Sequence, residues 1–303
     1  MRKLFKILLV VLILLAGLGA WLFGYDEPRV REVKANNGCP ACELDNASLW
    51  LTELTEANLR DADLSGATLW WSNLQQADLR GAKFLDANLW WADLRNAQIA
   101  GADFSGASLG RIDLRGANGA GVLLKSADLS GANLSGGAFP GANLWRANLL
   151  QAIAQNVDLS GADMTGANLH SVDLRGTNFS GATLVRTSLT NTNMTAVNLA
   201  GADLAGANLA GANLQNAQMW RANLKGADLP AADLSKADLR SANFEGANLT
   251  WSTMIAADLT NANLAKANLG GADLSDAILT GANLDGARLC KTKLSTGRDD
   301  TGC

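Results

Sequence analysis

From Cys42 to Thr296 the apolar positions recur every five residues without insertion or deletion. A bulky apolar residue stands at numbers ending in 4 or 9, from Leu44 to Leu294. Leu fills 39 of these 51 centres, and Phe84, Phe104, Phe139, Phe179 and Phe244 fill five more. Every Phe outside the N-terminal segment is at a centre, so the position is one of packing. Two residues before each centre stands Ala or another small or β-branched residue, with Cys42 in the first phrase. Asp or Asn usually lies between the two.

A period of five matches neither the 3.6 of a helix nor a long strand's 2. Within a phrase, however, the small residue and the centre are two apart. A short extended piece points both inward and the intervening Asp or Asn outward. The last two residues then turn a corner, often with Gly second, as in Ser65-Gly66, Arg80-Gly81 and Arg115-Gly116. A side this short cannot bury its Leu alone, so the pattern predicts a solenoid of stacked coils.

The phrase Ala62-Asp63-Leu64-Ser65-Gly66 and its many near copies resemble the pentapeptide-repeat family. The resemblance implies an all-β chain, a right-handed quadrilateral parallel β-helix with four phrases to a coil. At four to a coil, 51 phrases make about 13 coils of 20 residues, a rod roughly 60 Å long at the strand spacing of about 4.8 Å. Residues 20 apart then stack on one face.

Ahead of the repeats, Ile7 to Tyr25 carry no charge and are rich in Leu, Ile and Val, with Arg2, Lys3 and Lys6 before them. The stretch is long enough for a membrane-spanning helix, and Trp21 and Tyr25 fall at its far end. Residues 1–25 are therefore expected to be an uncleaved signal anchor. A cleaved signal peptide is the rival, with a poor site at Gly17-Leu18-Gly19. Basic residues at the start favour a cytoplasmic N-terminus. The expected location is a bacterial inner membrane, single-pass, with the repeats in the periplasm. Residues 26–41 read as tether and N-terminal cap, 42–296 as solenoid, and 297–303 as tail.

Cys39-Pro40-Ala41-Cys42 could be a disulfide, a thiol-active pair or half a zinc site. Zinc lacks ligands, since His170 is the single histidine and Cys290 and Cys303 belong to the other end. Cys42 leads into a strand rather than a helix, which favours a structural disulfide with Cys39. A Cys42–Cys290 bridge is excluded, because a disulfide tolerates no more than about 7 Å between Cα atoms. Cys290 and Cys303 are left to pair within the chain or between two chains. The tail either folds over the last coil or leaves it to stack end to end on a second copy.

On the outside, Trp50, Trp70 and Trp90 form one corner column at the 20-residue interval, and Trp71, Trp91 and Arg111 form the column beside it. A contiguous exposed apolar patch marks a contact surface, and Trp suits interface hot spots. These six residues are the expected partner-binding site, for an unidentified protein or a lipid headgroup layer. The bland alternative is mutual shielding of stacked aromatics.

Net charge changes the picture little. The chain carries a formal charge of −4, and residues 42–296 hold 24 acidic and 18 basic residues. Nothing there suggests binding to nucleic acid. Asp93, Asp113 and Asp173 each precede an Arg by two residues, which predicts local pairing with Arg95, Arg115 and Arg175. Stacked Asn223, Asn243, Asn263 and Asn283 predict a hydrogen-bonded ladder. Two centres break the rule: Gly119, which Phe139 one coil later should fill, and Ala154, and bulges are expected at both. No catalytic set, metal cluster or cofactor motif is visible, so no enzyme is expected. The reading is a membrane-tethered scaffold or binding solenoid. The alternatives are a DNA-mimicking inhibitor of type II topoisomerases, which some members of the family are, and a thiol-active envelope protein using Cys39 and Cys42.

Overall fold

The structure, a computed structural model, describes residues 28–295, 297–299 and 303. The expected span, Ile7–Tyr25, lies outside the described residues. Among those described, no helix is long and apolar enough to cross a membrane.

The described residues open with helix α1, Pro28–Asn36. Pro28 suits a first helical turn because its missing N–H needs no partner there. Asn37 takes a left-handed conformation at φ 50°, and the Gly38 N–H donates to the Val33 carbonyl at 3.0 Å. That bond closes the helix in the manner of a Schellman motif. Val30 and Val33, three apart on one face, are buried against the first coil. The cap expected from a polar segment is thus a helix, and it covers interior that would otherwise face water.

The coils begin at once. Gly38 bridges Asn58, and every fifth residue thereafter bridges the residue 20 further on, in parallel, as far as Asn268 and Arg288. One lap is therefore 20 residues throughout, with four sides. Each side uses its hydrogen bonds both ways: Leu44 N–H reaches Asp63 C=O at 2.7 Å, and Asp63 N–H reaches Cys42 C=O at 2.9 Å. The corner closes with Ala47 N–H on Leu44 C=O at 3.0 Å, and its second residue, such as Asn46 at φ 56°, is left-handed. Gly is frequent there because, lacking a Cβ, it takes that conformation without steric cost.

The interior is a continuous, largely apolar core. Ala at the small position and Leu at the centre are 0–2% exposed from Leu44 to Leu274. Phe84 and Phe104 stack inside with centroids 4.5 Å apart. Phe139 is buried, and its ring fills the space over Gly119: a Cβ built on Gly119 would fall 2.5 Å from Phe139 Cδ1. The bulges expected at Gly119 and Ala154 are absent. Asn118 bridges both Gln98 and Ala138 in unbroken register, and Ile153 bridges Asn133 and Asp173. The backbone ladder holds the register, and side chains absorb the irregularity. Thr177 Oγ1 donates to the Ala154 carbonyl from the next coil, in place of apolar contact. Other buried hydroxyls do likewise, as Thr187 on Met164 C=O and Thr292 on Leu269 C=O, both at 2.8 Å. An unpaired buried hydroxyl would cost about 1–3 kcal/mol.

The outward Asp or Asn has its own task. Its Oδ1 accepts the N–H two residues on, as Asp63 does from Ser65 at 3.0 Å. This Asx turn pins the start of the corner. Asn also donates its amide to the residue one coil earlier. Asn283, Asn263, Asn243 and Asn223 form such a ladder, each donating toward the N-terminus, at 3.3, 3.0, 3.2 and 2.8 Å. It ends on Asp203, a pure acceptor. The row Asn198, Asn178, Asp158 repeats the arrangement.

The C-terminal end closes differently. Strand β1, Asp273–Leu274, pairs in parallel with β2, Thr292–Leu294, and β2 pairs antiparallel with β3, Gly297–Asp299. The tail thus turns back as a hairpin, and a disulfide joins Cys290 to Cys303 within the chain. Leu279, Leu284, Leu289 and Leu294 remain only partly buried. At the other end Cys39 is bonded to Cys42.

Candidate functional site

A corner residue points away from the tube, so any large side chain there stays at the surface. All eight tryptophans of the described residues occupy corners. Five lie on one edge near α1. Trp50 and Trp70 stack with ring centroids 5.4 Å apart, and Trp71 and Trp91 with centroids 5.2 Å apart, each pair nearly parallel. Coil spacing is a little under 5 Å, so offset stacking follows directly from the fold. The Arg111 guanidinium caps the second column 5.0 Å from the Trp91 ring centre.

Trp90 departs from the expected column. It meets Trp91 edge-on, with centroids 6.3 Å apart and planes at 74°. Its indole lies over Gly110, where an added Cβ would fall 2.1 Å from Trp90 Nε1. Gly110 is buried beneath it, and Trp90 remains 46% exposed. The missing side chain at 110 opens the space, so the first column ends by folding over the edge. Beyond it a shallow groove of about 510 Å³ continues along the same edge, lined by Trp91, Arg111, Ser130, Gly131, Leu150 and Gln151.

This edge is also nearly free of charge. Its residues are Trp50 and Leu51 and those at 20-residue intervals above them. From Trp50 to Trp251 the one charged residue among them is Arg111. His170 sits on it as an ordinary surface residue, with Nδ1 2.5 Å from Thr190 Oγ1. The described residues contain no group of His, Cys, Asp and Glu that could hold a metal.

Arginines fall into two classes by corner position. Those in the first place reach the Asp two residues earlier, except Arg60, which follows Asn58 and lies 3.5 Å from Asp61. Arg95, Arg115 and Arg175 bind Asp93, Asp113 and Asp173 at 2.7, 2.6 and 2.7 Å, and Arg80 and Arg240 bind Asp78 and Asp238 at 2.6 Å. The hydrogen bond from the guanidinium holds Asp78, Asp173 and Asp238 below the usual carboxylate range. Arginines in the second place, Arg111, Arg146, Arg186 and Arg221, have a left-handed backbone and no carboxylate partner among the described residues. Three of the four lie on an indole: Arg111 on Trp91, Arg146 on Trp145 at 4.4 Å, and Arg221 on Trp220 at 5.6 Å. Sequence reasoning passed over Trp145, Trp220 and Trp251. The signal was the dipeptide Trp-Arg at a corner, which occurs at Trp145-Arg146 and at Trp220-Arg221.

Comparison with known proteins agrees with this architecture. A family model described as pentapeptide repeats matches residues 41–136, 138–254 and 257–295. A search of curated proteins finds no match. Among solved structures, the chain is similar to HetL, a pentapeptide repeat protein involved in heterocyst differentiation regulation from the cyanobacterium Nostoc sp. strain PCC 7120. Identity is 28% over 90% of this chain and 98% of that one, with a TM-score of 0.30. It is also similar to QnrB1, a plasmid-mediated fluoroquinolone resistance protein, at 19% identity over 67% and 86% of the two chains, with a TM-score of 0.38. A pentapeptide repeat protein from the thylakoid lumen of Arabidopsis thaliana is 35% identical over 42% of this chain and 70% of that one, with a TM-score of 0.15. These scores carry no argument about function. With the repeat matched through nearly all of the solenoid and a lap of 20 residues on four sides, this chain belongs to the pentapeptide-repeat family, whose fold is a right-handed β-helix.

Proposed function

We propose that the protein is a non-enzymatic binding scaffold whose contact surface is the tryptophan edge beside α1. The observation that carries this reading is the cluster Trp50, Trp70, Trp71, Trp90, Trp91 and Arg111, held at the surface by its corner positions. Trp and Arg dominate protein interface hot spots, and a rigid backbone presents them with little ordering cost. Arg111 has no carboxylate partner of its own among the described residues, so its donors remain open to one on a partner protein. The neutral edge around it adds no repulsion toward a partner of either sign.

The N-terminal apolar segment, Ile7 to Tyr25, would tether this rod to a membrane with the repeats on the non-cytoplasmic side. A disulfide at each end of the rod supports an oxidising compartment. Both bonds staple the ends of the solenoid, a structural task that leaves no free thiol for redox chemistry among the described residues. The DNA-mimic reading loses support from the charge pattern. Asp78, Asp93, Asp113, Asp173 and Asp238 are each paired with the arginine two residues on, and residues 42–296 hold 24 acidic against 18 basic residues, a weak acidic balance for a mimic of DNA.

The test is affinity capture with wild type and with Trp50→Ala/Trp70→Ala/Trp90→Ala, followed by titration of the purified captured protein. The expected result is at least about tenfold weaker binding by the variant. Equal binding by both proteins would remove the edge from the reading. Fractionation of cells places the protein, and a soluble cytoplasmic pool would overturn the tether.

A further inference from the structure

We propose a second binding site, on the edge diagonally opposite the tryptophan cluster, that takes a carboxylated sugar unit. It is a shallow groove of about 430 Å³ lined by Trp220, Arg221, Arg240, Ser241, Thr260 and Asn261. These six are the two corner residues of three successive coils, so the fold sets them in register at about 4.8 Å. The site is independent of the contact surface proposed above.

Each wall contributes a distinct chemistry. Trp220 is 40% exposed and offers an indole face. Arg221 lies against that indole and has no carboxylate partner among the described residues. Its planar fork is therefore oriented by stacking while its donors stay open, the arrangement that suits bidentate capture of a carboxylate. Arg240 is already engaged by Asp238 at 2.6 Å and lies 3.9 Å from Asp258, so it adds shape and no net charge. Ser241 Oγ and the Asn261 carboxamide make no hydrogen bond within the described residues. Thr260 Oγ1 donates to Asp258 at 2.5 Å and keeps its lone pairs to accept. One aromatic face, one open guanidinium, two hydroxyls and an amide match a ring that carries hydroxyls and a single carboxylate.

A peptide strand fits less well. Strand addition needs unpaired backbone groups, and here they are engaged between coils. Arg221 N–H donates to Arg240 C=O at 2.9 Å, Ser241 N–H to Thr260 C=O at 2.9 Å, and Asn261 N–H to Thr280 C=O at 2.9 Å. Recognition at this edge must come from side chains. Phosphate is less suited as well, since one open guanidinium faces the groove and no run of free backbone N–H groups cradles it.

Calorimetric titration of the full-length protein with trigalacturonate tests the site. Wild type should bind with a Kd of about 1 mM or tighter, and in a parallel NMR titration the Trp220 indole N–H resonance should shift. Arg221→Ala and Trp220→Ala should each weaken binding about tenfold, and Arg221→Lys, which keeps charge without the fork, by several-fold. Arg186→Ala, a second-corner arginine with no indole, should change nothing, and neither should Trp50→Ala/Trp70→Ala/Trp90→Ala. Unchanged melting temperatures certify that the surface variants fold. No binding by wild type, or undiminished binding by Arg221→Ala, overturns the proposal. Equal binding of the methyl-esterified trisaccharide removes the role of the carboxylate. Equal binding of triglutamate or inorganic phosphate overturns the assignment to a sugar.

Discussion

Phe139 occupies the volume that Gly119 leaves one coil below it, with Cδ1 2.5 Å from where a Gly119 Cβ would stand. The two residues act as one packing unit, although 20 positions separate them. Gly119→Leu alone overfills the tube and should lower stability by about 3 kcal/mol. Phe139→Leu alone leaves a cavity and should cost about 1–3 kcal/mol. The double variant restores an ordinary Leu column, so its loss should be far below the sum. Urea denaturation of the four proteins checks this. Additive losses would show that the ring does not depend on the gap.

The second corner residue is left-handed whatever its side chain, and this predicts substitutions of opposite sign. Ala196, Ala231 and Ala256 sit at φ 54–56°. An L-residue there costs about 1–2 kcal/mol, and Gly loses about 0.4–1 kcal/mol in chain entropy. Ala→Gly at each should therefore raise stability by about 0.5–1 kcal/mol. Gly161→Ala, with φ +63° and no atom within 4 Å, should lower it by a similar amount. Gly38→Ala is a harsher case, because φ is +131° and the new Cβ would stand 2.2 Å from the Asn58 carbonyl oxygen. It should unseat α1 and the first coil, which thermal melts would register as an early transition.

The Asp–Arg pairs predict a response to acid. Guanidinium hydrogen bonds hold Asp78, Asp173 and Asp238 below their ordinary carboxylate range in the folded chain. A depressed folded value means the stabilisation is present above the unfolded value, about pH 4, and is lost as pH falls through the folded value. Wild type should thus melt higher than Arg80→Gln/Arg175→Gln at pH 7, by a small margin because the pairs are exposed. The gap should close as pH approaches 2. A gap that stays constant with pH would show that the arginines act through packing alone.

The Cys290–Cys303 bond closes a loop of sequence separation 13 and holds the β2–β3 hairpin to the last coil. Cys303→Ser should destabilise that end locally, by about 3 kcal/mol on the loop-entropy scale. In a solenoid each coil touches only its neighbours, so loss at one end need not spread. Hydrogen exchange should accelerate at the Asn283, Arg288 and Lys293 amides, which bond to the coil below, and stay slow at Asn143. Equal acceleration along the whole rod would overturn the local account.

Much of the fold was legible because a single coil repeats. Phe139 could be assigned to the Gly119 gap once 20 residues make a lap, and Arg95, Arg115 and Arg175 could be paired because partners two residues apart need no tertiary contact. Bulges at Gly119 and Ala154 were the natural expectation from a broken pattern. They failed because each side is bonded to the coils on both sides, and that ladder outweighs one misfit side chain. Trp90 was placed in a column with Trp70, yet the space above Gly110 drew it over the edge.

The order of residues alone settles the five-residue side, the inward rows of Ala and Leu, and the corners that must carry every Trp, while the lap of 20 followed from the resemblance and is set by the bridges between coils. A fixed period leaves each side chain one direction to point. Only the assembled coils settle how the ends close and which surface groups remain open. The α1 cap, the C-terminal hairpin, the Arg111 guanidinium lying on Trp91 and the turn of Trp90 over Gly110 depend on contacts between coils and on which neighbour leaves room, and no five-residue phrase encodes that.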